Sequence, residues 1–402
     1  MANMSMNKTD IAVPGFRANG IACGIKGTGK KDLAVIFSEV PALAAGVFTT
    51  NRFKAAPVLH DIEKIGGGTA QAIIANSGNA NAATGRQGDA DATAMARAAA
   101  DNLNIDERFV LVASTGIIGK KLPIEKIEAA VPELVQGMDA RGIIRAEEAI
   151  MTTDRFPKVE YRNVSIAGKD ISICGIAKGA GMIEPNMATM LAFVMTDAAL
   201  ESAAMKEIFQ ETIAYSFNAI TVDGCMSTND TAILLANGYA GNSLISLLSP
   251  EASLFKDALM DTMISLAKSI VRDGEGATKV IEIRVSGART EQEAKRAAYA
   301  IARSNLVKTA FFGGDPNWGR IISAVGSIDL PIPAGQVELL FEGIPLFREG
   351  MGVPENERII ADIMKKAEIS IEIHMAMGSA FFRVFASDLS HEYVDINALY
   401  HT

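Results

Sequence analysis

The sequence KGAGMIEPNMATML spans residues 178–191 and runs directly into the apolar segment LAFVMT at 191–196. The glycines near its start favour a tight turn, and the apolar segment is typical of a strand that is buried on both faces. Thr189 therefore stands at the mouth of a buried strand that is entered through a loop. A hydroxyl residue in this place has the setting of a nucleophile in a self-cleaving precursor, and this interpretation decides the fold that we expect.

In such a precursor the hydroxyl of Thr189 attacks the carbonyl carbon of Ala188, the acyl group moves from nitrogen to oxygen, and water releases a new amino terminus. The free α-amine then activates the same hydroxyl as a base, which is the N-terminal-threonine arrangement. The alternative is a β-branched strand residue whose hydroxyl is bonded to the backbone. For Thr189 taken alone that structural interpretation is favoured, so the rest of the sequence has to decide.

The composition is that of an ordinary globular chain and argues against several classes of protein. The 402 residues carry a net charge of −9 without any basic run, so no nucleic-acid partner is expected. No apolar segment has the roughly 18–20 residues of a membrane span, and the amino terminus lacks the apolar core of a signal peptide. Three cysteines far apart indicate reduced thiols and a cytoplasmic protein. Neither they nor the four histidines have metal-ligand spacing, so no metal site is expected.

A glycine-rich stretch near the amino terminus, GIKGTGK at 24–30, matches most of the phosphate-binding P-loop pattern. Lys31 occupies the position of the Mg²⁺-binding Ser or Thr, and the residues that follow predict a strand where a P-loop opens a helix. We therefore interpret the stretch as a hairpin turn and expect no nucleotide site.

The distribution of strand and helix patterns predicts an α+β fold. Strands and helices are mixed rather than strictly alternating, which favours layered mixed sheets over a doubly wound parallel fold. From about residue 280 the strands alternate apolar and polar residues, which indicates sheets with one exposed face. We expect a layered α/β sandwich over 1–279, cut into an α chain (1–188) and a β chain from 189, followed by a smaller C-terminal α+β domain over 280–402.

Five further segments are long and unusual enough to identify a family. They are NSGNANAATG (76–85), ASTGIIG (113–119), TVDGCMSTND (221–230), LVKTAFFGGDPNWGRI (306–321) and the terminal YVDINALYHT. Together with the segment around Thr189, and in the same order along the chain, they resemble signatures of the ornithine acetyltransferase family, also called the arginine biosynthesis bifunctional protein. The resemblance runs from about Gly15 to Thr402 and covers nearly the whole chain.

The resemblance implies an autocatalytically cleaved N-acyltransferase of arginine biosynthesis that works by a ping-pong mechanism. Thr189 takes the acetyl group from N-acetylornithine and passes it to glutamate, and the α-amine of Thr189 is the base. The side chain of Thr115 and the backbone N–H of Gly116 are the implied oxyanion donors, at a strand-end turn that suits the role. The cleaved chains are expected to form an α2β2 heterotetramer. No cofactor is implied; a bifunctional member also accepts acetyl-CoA as acetyl donor, which the sequence leaves open.

The amino-acid substrates carry a carboxylate and an ammonium, so their pocket has to hold opposite charges apart. The resemblance carries the substrate-binding positions over to Thr152, Lys178, Thr189, Glu275, Asn397 and Thr402. Lys178 suits a carboxylate and Glu275 suits an ammonium, while the last two positions require the C-terminal tail to fold back over the pocket. The chain departs from the family pattern at positions that concern substrate preference more than reaction type: Arg155, Cys225, Met226 and His401.

Two other functions stay open from the residues. A self-processed aminopeptidase or amidase would share the N-terminal nucleophile but pass the acyl group to water. A non-catalytic metabolite-binding protein would keep Thr189 as a structural residue and would run as one intact chain on a denaturing gel. Two fragments of about half size would exclude the binding protein, and acetyl transfer to glutamate would exclude the hydrolase.

Overall fold

The strands predicted from apolar runs form two mixed sheets with helices packed against them, as a computed structural model shows for residues 10–27, 29–184 and 190–399. The predicted α+β layered fold is therefore confirmed. The strands are β1 (Phe16–Ile21), β2 (Leu33–Phe48), β3 (Thr69–Asn79), β4 (Val110–Ile117), β5 (Lys158–Ile166), β6 (Lys169–Lys178), β7 (Leu191–Thr196), β8 (Ile220–Thr221), β9 (Thr231–Ala236), β10 (Val280–Ala288), β11 (Glu338–Phe341), β12 (Ile344–Arg348), β13 (Met351–Gly352), β14 (Glu368–His374) and β15 (Ala380–Ser387). The helices are α1 (Ala56–Ile65), α2 (Gly85–Leu103), α3 (Ile124–Gln136), α4 (Ile143–Ile150), α5 (Ser202–Tyr215), α6 (Glu251–Arg272), α7 (Glu291–Ala302), α8 (Asn305–Gly313), α9 (Trp318–Gly326), α10 (Glu357–Ile363) and α11 (His391–Leu399).

The first sheet has the order β4-β3-β2-β9-β7-β6-β5, and β1 pairs with β2 beside this row. All residues of β7 and β9 are buried, as their continuous apolar sequences predict for central strands. These two strands follow the expected cut in sequence, yet they lie between β2 and β6, which precede it. The sheet is therefore built jointly by the two parts of the chain.

The side chains of β7 alternate between the two faces of this sheet, as the period of a strand requires. Leu191, Phe193 and Met195 pack in a cluster with α4 and the first strands, whereas Ala192 and Val194 pack in a cluster with α5 and α6. Helices thus cover the sheet on both sides, which explains why the strand carries apolar residues at every position but its last.

The second sheet has the order β13-β12-β11-β14-β10-β15-β8. In β10 the even alternation of apolar and charged residues leaves Ile281, Ile283 and Val285 buried against α7, as predicted. The short strand β8 joins this sheet by pairing with β15, although it lies well before residue 280 in the sequence. The proposed boundary between residues 279 and 280 stays a prediction.

The glycine-rich stretch after β1 is confirmed as a hairpin turn, because β1 and β2 are antiparallel neighbours. The backbone N–H groups of Cys23, Ile25 and Lys26 donate to the carboxylate of Asp32 at 2.6, 2.6 and 2.9 Å. Two backbone amides of the stretch, those of Ile25 and Lys26, are thus bonded to a carboxylate of the same chain. No helix in the described ranges is long and apolar enough to cross a membrane.

Candidate active site

A cavity of about 140 Å³ lies where the ends of β4 and β6 approach the tail helix α11. Its lining includes every oxyanion and substrate-binding position predicted from the sequence that lies within the described residues: Thr115, Gly116, Thr152, Lys178, Glu275 and Asn397. The positions are widely separated along the chain, so only the tertiary fold brings them together. The six predicted residues therefore share one cavity.

Lys178 is a buried cation in this cavity. It is the last residue of β6 and is only 3% exposed. Its Nζ donates to Oγ1 of Thr152 at 2.8 Å and to Oγ1 of Thr115 at 3.4 Å. Burial lowers the pKa of the Lys178 ammonium, and the carboxylate of Asp154, 3.8 Å away, opposes this shift. Two predicted threonine hydroxyls are thus oriented around a single positive charge.

The fully buried carboxylate of Asp154 supports this arrangement from behind. Besides Lys178, it contacts Nζ of Lys158 at 2.7 Å and accepts from the backbone N–H groups of Thr152 at 2.9 Å and Gly179 at 2.7 Å. Burial alone would raise the pKa of Asp154, but the two lysines outweigh it and hold the pKa below its ordinary value. Asp154 therefore stays ionised and fixes both Thr152 and the turn that follows Lys178.

A second buried carboxylate, Asp273, completes a chain of alternating charges behind the cavity. Nζ of Lys158 lies 2.6 Å from the carboxylate of Asp273, and both side chains are fully buried. The carboxylate also accepts from the half-exposed guanidinium of Arg155 at 3.1 Å. Arg155 was expected to depart from the family pattern. Its partner in this chain is Asp273, a buried carboxylate behind the cavity. A buried charge is tolerated when it is paired in this way.

Gly116 is a position where only glycine fits. Its φ is +132°, and a Cβ there would overlap the backbone of Gly78 on β3. The end of β4 is held by the side-chain amide of Asn229, which donates to the carbonyl oxygens of Ser114 at 2.8 Å and Ala80 at 2.6 Å. Thr115 and Gly116 thus belong to β4 itself, paired with β3, and not to the turn that was predicted there. A rigid, closely packed backbone is what an oxyanion site needs.

Acidic residues also line the cavity. Glu275 is 9% exposed and accepts from the side-chain amide of Asn397 at 2.8 Å, so helix α11 does return to the cavity as the tail was expected to do. Gly181 lies so close that a Cβ on it would overlap the Glu275 carboxylate. Tyr393, also on α11, donates its hydroxyl to Asp223 at 3.4 Å. Lys178, Asp223 and Glu275 thus line one small cavity, which therefore presents both signs of charge.

Three predicted positions, Ala188, Thr189 and Thr402, lie outside the described residues, as does the family departure at His401. The chain is described again from Met190, whose backbone N–H donates to Asp230 at 3.1 Å. Leu191, the first residue of β7, is paired with Lys178 on β6. The sequence position of the expected nucleophile is therefore two residues before a strand that adjoins the buried lysine.

Asp154, Asp223 and Tyr393 were not singled out as site residues from the sequence. Each of them lies beside or inside a segment that was noticed, but an isolated Asp or Tyr is more often a solvated or packing residue. Cys225, another departure from the family pattern, lines the cavity, whereas the sulfur of Met226 accepts from Thr50 at 3.6 Å. Among the described residues, no group of three or more His, Cys, Asp and Glu side chains could hold a metal ion.

The chain is similar to known proteins over almost its whole length. The model of the ArgJ family matches residues 17–402. The arginine biosynthesis bifunctional protein ArgJ of Geobacter sulfurreducens is 48% identical over 391 residues, which are 97% of this chain and 100% of that protein. The protein of the same name from Bacillus subtilis is 45% identical over 395 residues, which are 98% of this chain and 97% of that protein. A crystal structure of the arginine biosynthesis bifunctional protein argJ from Bacillus halodurans is similar with a TM-score of 0.50 and 36% identity, over 52% of this chain and 98% of that chain. With a family match and such identity over almost its whole length, the chain belongs to the ArgJ family.

Proposed function

We propose that this protein is a self-cleaved ornithine acetyltransferase of arginine biosynthesis, which moves the acetyl group of N-acetylornithine to glutamate through an acetyl ester on Thr189. The observation that carries the proposal is the cavity itself. A buried ammonium, two threonine hydroxyls and a strand glycine line it together with a carboxylate and a side-chain amide. This distribution suits a zwitterionic amino acid whose acyl group has to meet an oxyanion site.

In the proposed reaction, Oγ1 of Thr189 attacks the acetyl carbonyl carbon and its proton passes to the α-amine of the same residue. That amine has a reference pKa of about 7.7–8.0, close to a neutral working pH. Thr115 and the Gly116 N–H stabilise the oxyanion, which collapses as the C–N bond breaks and the proton returns to the departing ornithine. The amine of glutamate then attacks the acetyl ester, and the Thr189 hydroxyl is regenerated.

The cavity charges suggest how the substrates are held. Lys178 is proposed to bind the substrate carboxylate, because its buried ammonium has only neutral hydroxyls at hydrogen-bond distance in the described structure. Glu275 is proposed to bind the substrate ammonium, with Asn397 setting the position of the Glu275 carboxylate. Thr152 orients Lys178, and Thr402 is proposed to approach the substrate from the end of the tail.

The two products of cleavage, residues 1–188 and 189–402, are proposed to stay together as α and β chains and to assemble as an α2β2 heterotetramer. Two observations support a lasting association. Strands β7 and β9 lie between β2 and β6, and the buried Lys158–Asp273 ion pair joins residues from the two sides of the cut. The match to 98% of the solved Bacillus halodurans chain involves only 52% of this chain, close to the share that one cleavage product would have.

Two further properties are part of the proposal. Because the related proteins are named bifunctional, we propose acetyl-CoA as a second acetyl donor, which a thiol-release assay with glutamate would detect. We also propose a cytoplasmic location, since Cys23, Cys174 and Cys225 are all free thiols.

The test compares the parent chain with Thr189→Ala and Thr189→Ser on denaturing gels, with amino-terminal sequencing of the fragments. The parent is expected to yield two fragments, Thr189→Ser to cut at least partly, and Thr189→Ala to remain one inactive chain. Acetyl transfer from N-acetylornithine to glutamate is then measured against release of free acetate. Normal cutting of Thr189→Ala would overturn the nucleophile assignment, and acetate release without transfer would favour an amidase.

A further inference from the structure

The segment 221–231, here called the clamp segment, contacts the chain on both sides of the expected cut. On the upstream side, the backbone N–H groups of Met182 and Ile183 donate to the Asp223 carboxylate at 2.6 and 2.8 Å. The N–H of Val222 donates to the carbonyl oxygen of Ile183 at 2.8 Å. The chain is thus held by three hydrogen bonds just before residue 184.

On the downstream side, the backbone N–H of Met190 donates to Oδ1 of Asp230 at 3.1 Å. The carbonyl oxygen of Met190 accepts from the N–H of Thr231 at 3.1 Å. Met190 directly follows the proposed nucleophile, so these bonds fix the backbone one residue beyond it. The upstream and the downstream hydrogen bonds are thus both made by the clamp segment.

The upstream hydrogen bonds stabilise an unfavourable backbone conformation at Met182. Met182 has a φ of +57°, in the left-handed region that side chains other than glycine rarely occupy. Such a residue costs about 1–3 kcal/mol and persists only where its surroundings enforce it. The Asp223 carboxylate stabilises this conformation through its bond to the N–H of Met182. The same carboxylate also accepts from the N–H of Cys225 at 3.1 Å.

The downstream carboxyl group is of a different kind. Asp230 is completely buried, and its Oδ2 has no hydrogen-bond partner within the described residues. Burial raises the pKa of Asp230 well above its ordinary value, and Oδ1 is the oxygen that accepts from Met190. An asparagine side chain has the same shape and keeps an acceptor oxygen for this bond.

We propose that the clamp segment positions the peptide bond that is cut, with Asp223 holding the upstream end and Asp230 the downstream end. This inference rests on the proposed self-cleavage at Thr189. Both aspartates are positioning residues, and the quantity that they control is the rate of cleavage.

The test is a time course of cleavage during cell-free synthesis of the full chain, read on denaturing gels. Asp230→Ala removes the acceptor for the Met190 amide and should slow cleavage by about 10²-fold, the effect of displacing a reacting group by about 1 Å. Asp230→Asn keeps the acceptor and should cut close to the parent rate. Asp223→Asn should be slow, because one amide oxygen cannot replace a carboxylate that accepts three backbone N–H groups.

The matched control is Asp197→Ala. Asp197 is also buried, accepts a backbone N–H, that of Ser172, at 2.8 Å, and stands at the other end of the same strand β7. It should lose stability to a similar degree in urea and still cut at the parent rate.

The outcomes separate the two hypotheses. If Asp230→Ala is cleaved as fast as Asp197→Ala, the proposed role of the clamp segment is wrong, while the assignment of Thr189 as nucleophile is unaffected. The same conclusion holds if both variants are cleaved slowly. A parent chain that is never cut, or a Thr189→Ala chain that is cut, would instead refute the proposed function. If Asp230→Ala fails to fold, the contrast between Asp223→Asn and Asp230→Asn decides: equal cleavage rates in those two chains contradict the proposal.

Discussion

Replacing Asp154 by Asn would test whether the charge of the buried Lys178 depends on its carboxylate neighbour. Asp154 lies 3.8 Å from Lys178 Nζ. At about 4 Å and an effective dielectric constant of about 20, a pair of unit charges is worth about 4 kcal/mol, or about three pKa units. Burial already lowers the pKa of Lys178, so removing Asp154 should lower it further and leave less of the amine protonated at alkaline pH. The variant would then carry less of the charge that we propose for binding the substrate carboxylate.

The expected result is a KM for glutamate that is about 10–100-fold higher at pH 8, the worth of about 1.5–3 kcal/mol for a hydrogen bond to a charged group. The sign of the pH dependence follows from the lowered pKa. Lys178 regains its proton as the pH falls, so the ratio of variant to parent KM should shrink between pH 8.5 and pH 6. The assay is acetyl transfer at a series of pH values, normalised to cleaved protein.

Stability supplies an internal check, because Asp154→Asn also removes one carboxylate from Lys158 and should cost about 3 kcal/mol in urea. Asp273→Asn is the matched control. It removes the other carboxylate from Lys158, at 2.6 Å, and should destabilise the protein without changing the pH profile of KM. A profile of Asp154→Asn that coincides with that of Asp273→Asn would refute the reasoning.

Three other predictions concern separate parts of the molecule. Thr115→Ala should lower kcat by about 10²-fold per cleaved molecule if its hydroxyl stabilises the oxyanion, and a loss within about twofold would exclude that role. Burial raises the pKa of Glu147 to about 8, so the parent should lose up to about 1.4 kcal/mol of stability for each pH unit between about 4.3 and 8. Glu147→Gln should abolish this dependence in urea titrations, and an unchanged slope would assign it elsewhere. Deleting residues 397–402 should raise KM while cleavage continues, because Asn397 holds Glu275; a truncated enzyme with parent KM and kcat would show that the tail is dispensable.

The sequence was sufficient for the parts of the structure that strong local patterns determine. The apolar run of β7 and the alternation in β10 predicted a central strand and a half-exposed one, and both were found. The strand predicted after the glycine-rich stretch is β2, and it continues through Pro41 as far as Phe48. A shift of register between Phe37 and Ala42 accommodates the proline, which a periodicity argument cannot foresee. The two-residue strand β13 is stabilised by pairing with β12 rather than by its own sequence.

The six described site residues were predictable because the family resemblance marked their positions, not because local chemistry did. The buried ion pair that supports them was not predicted. Lys158 stands at the start of β5 and Asp273 after α6, and each alone has the appearance of a solvated surface charge. Only the packing of α6 on β5 removes both from water and makes their pairing necessary.

The position of β7 and β9 between β2 and β6 has a consequence for refolding if the chain is cut before Thr189 as proposed. A single chain that unfolds can refold alone at any dilution, whereas a cut one has to find its other half. The native state then becomes subject to mass action, so its recovery depends on protein concentration. Before they meet, the strands that flank the gap would also expose unpaired edges to foreign partners. Such a topology favours cleavage only after the sheet is complete. Folding of the uncut chain should then be easier than any later refolding from two separate fragments.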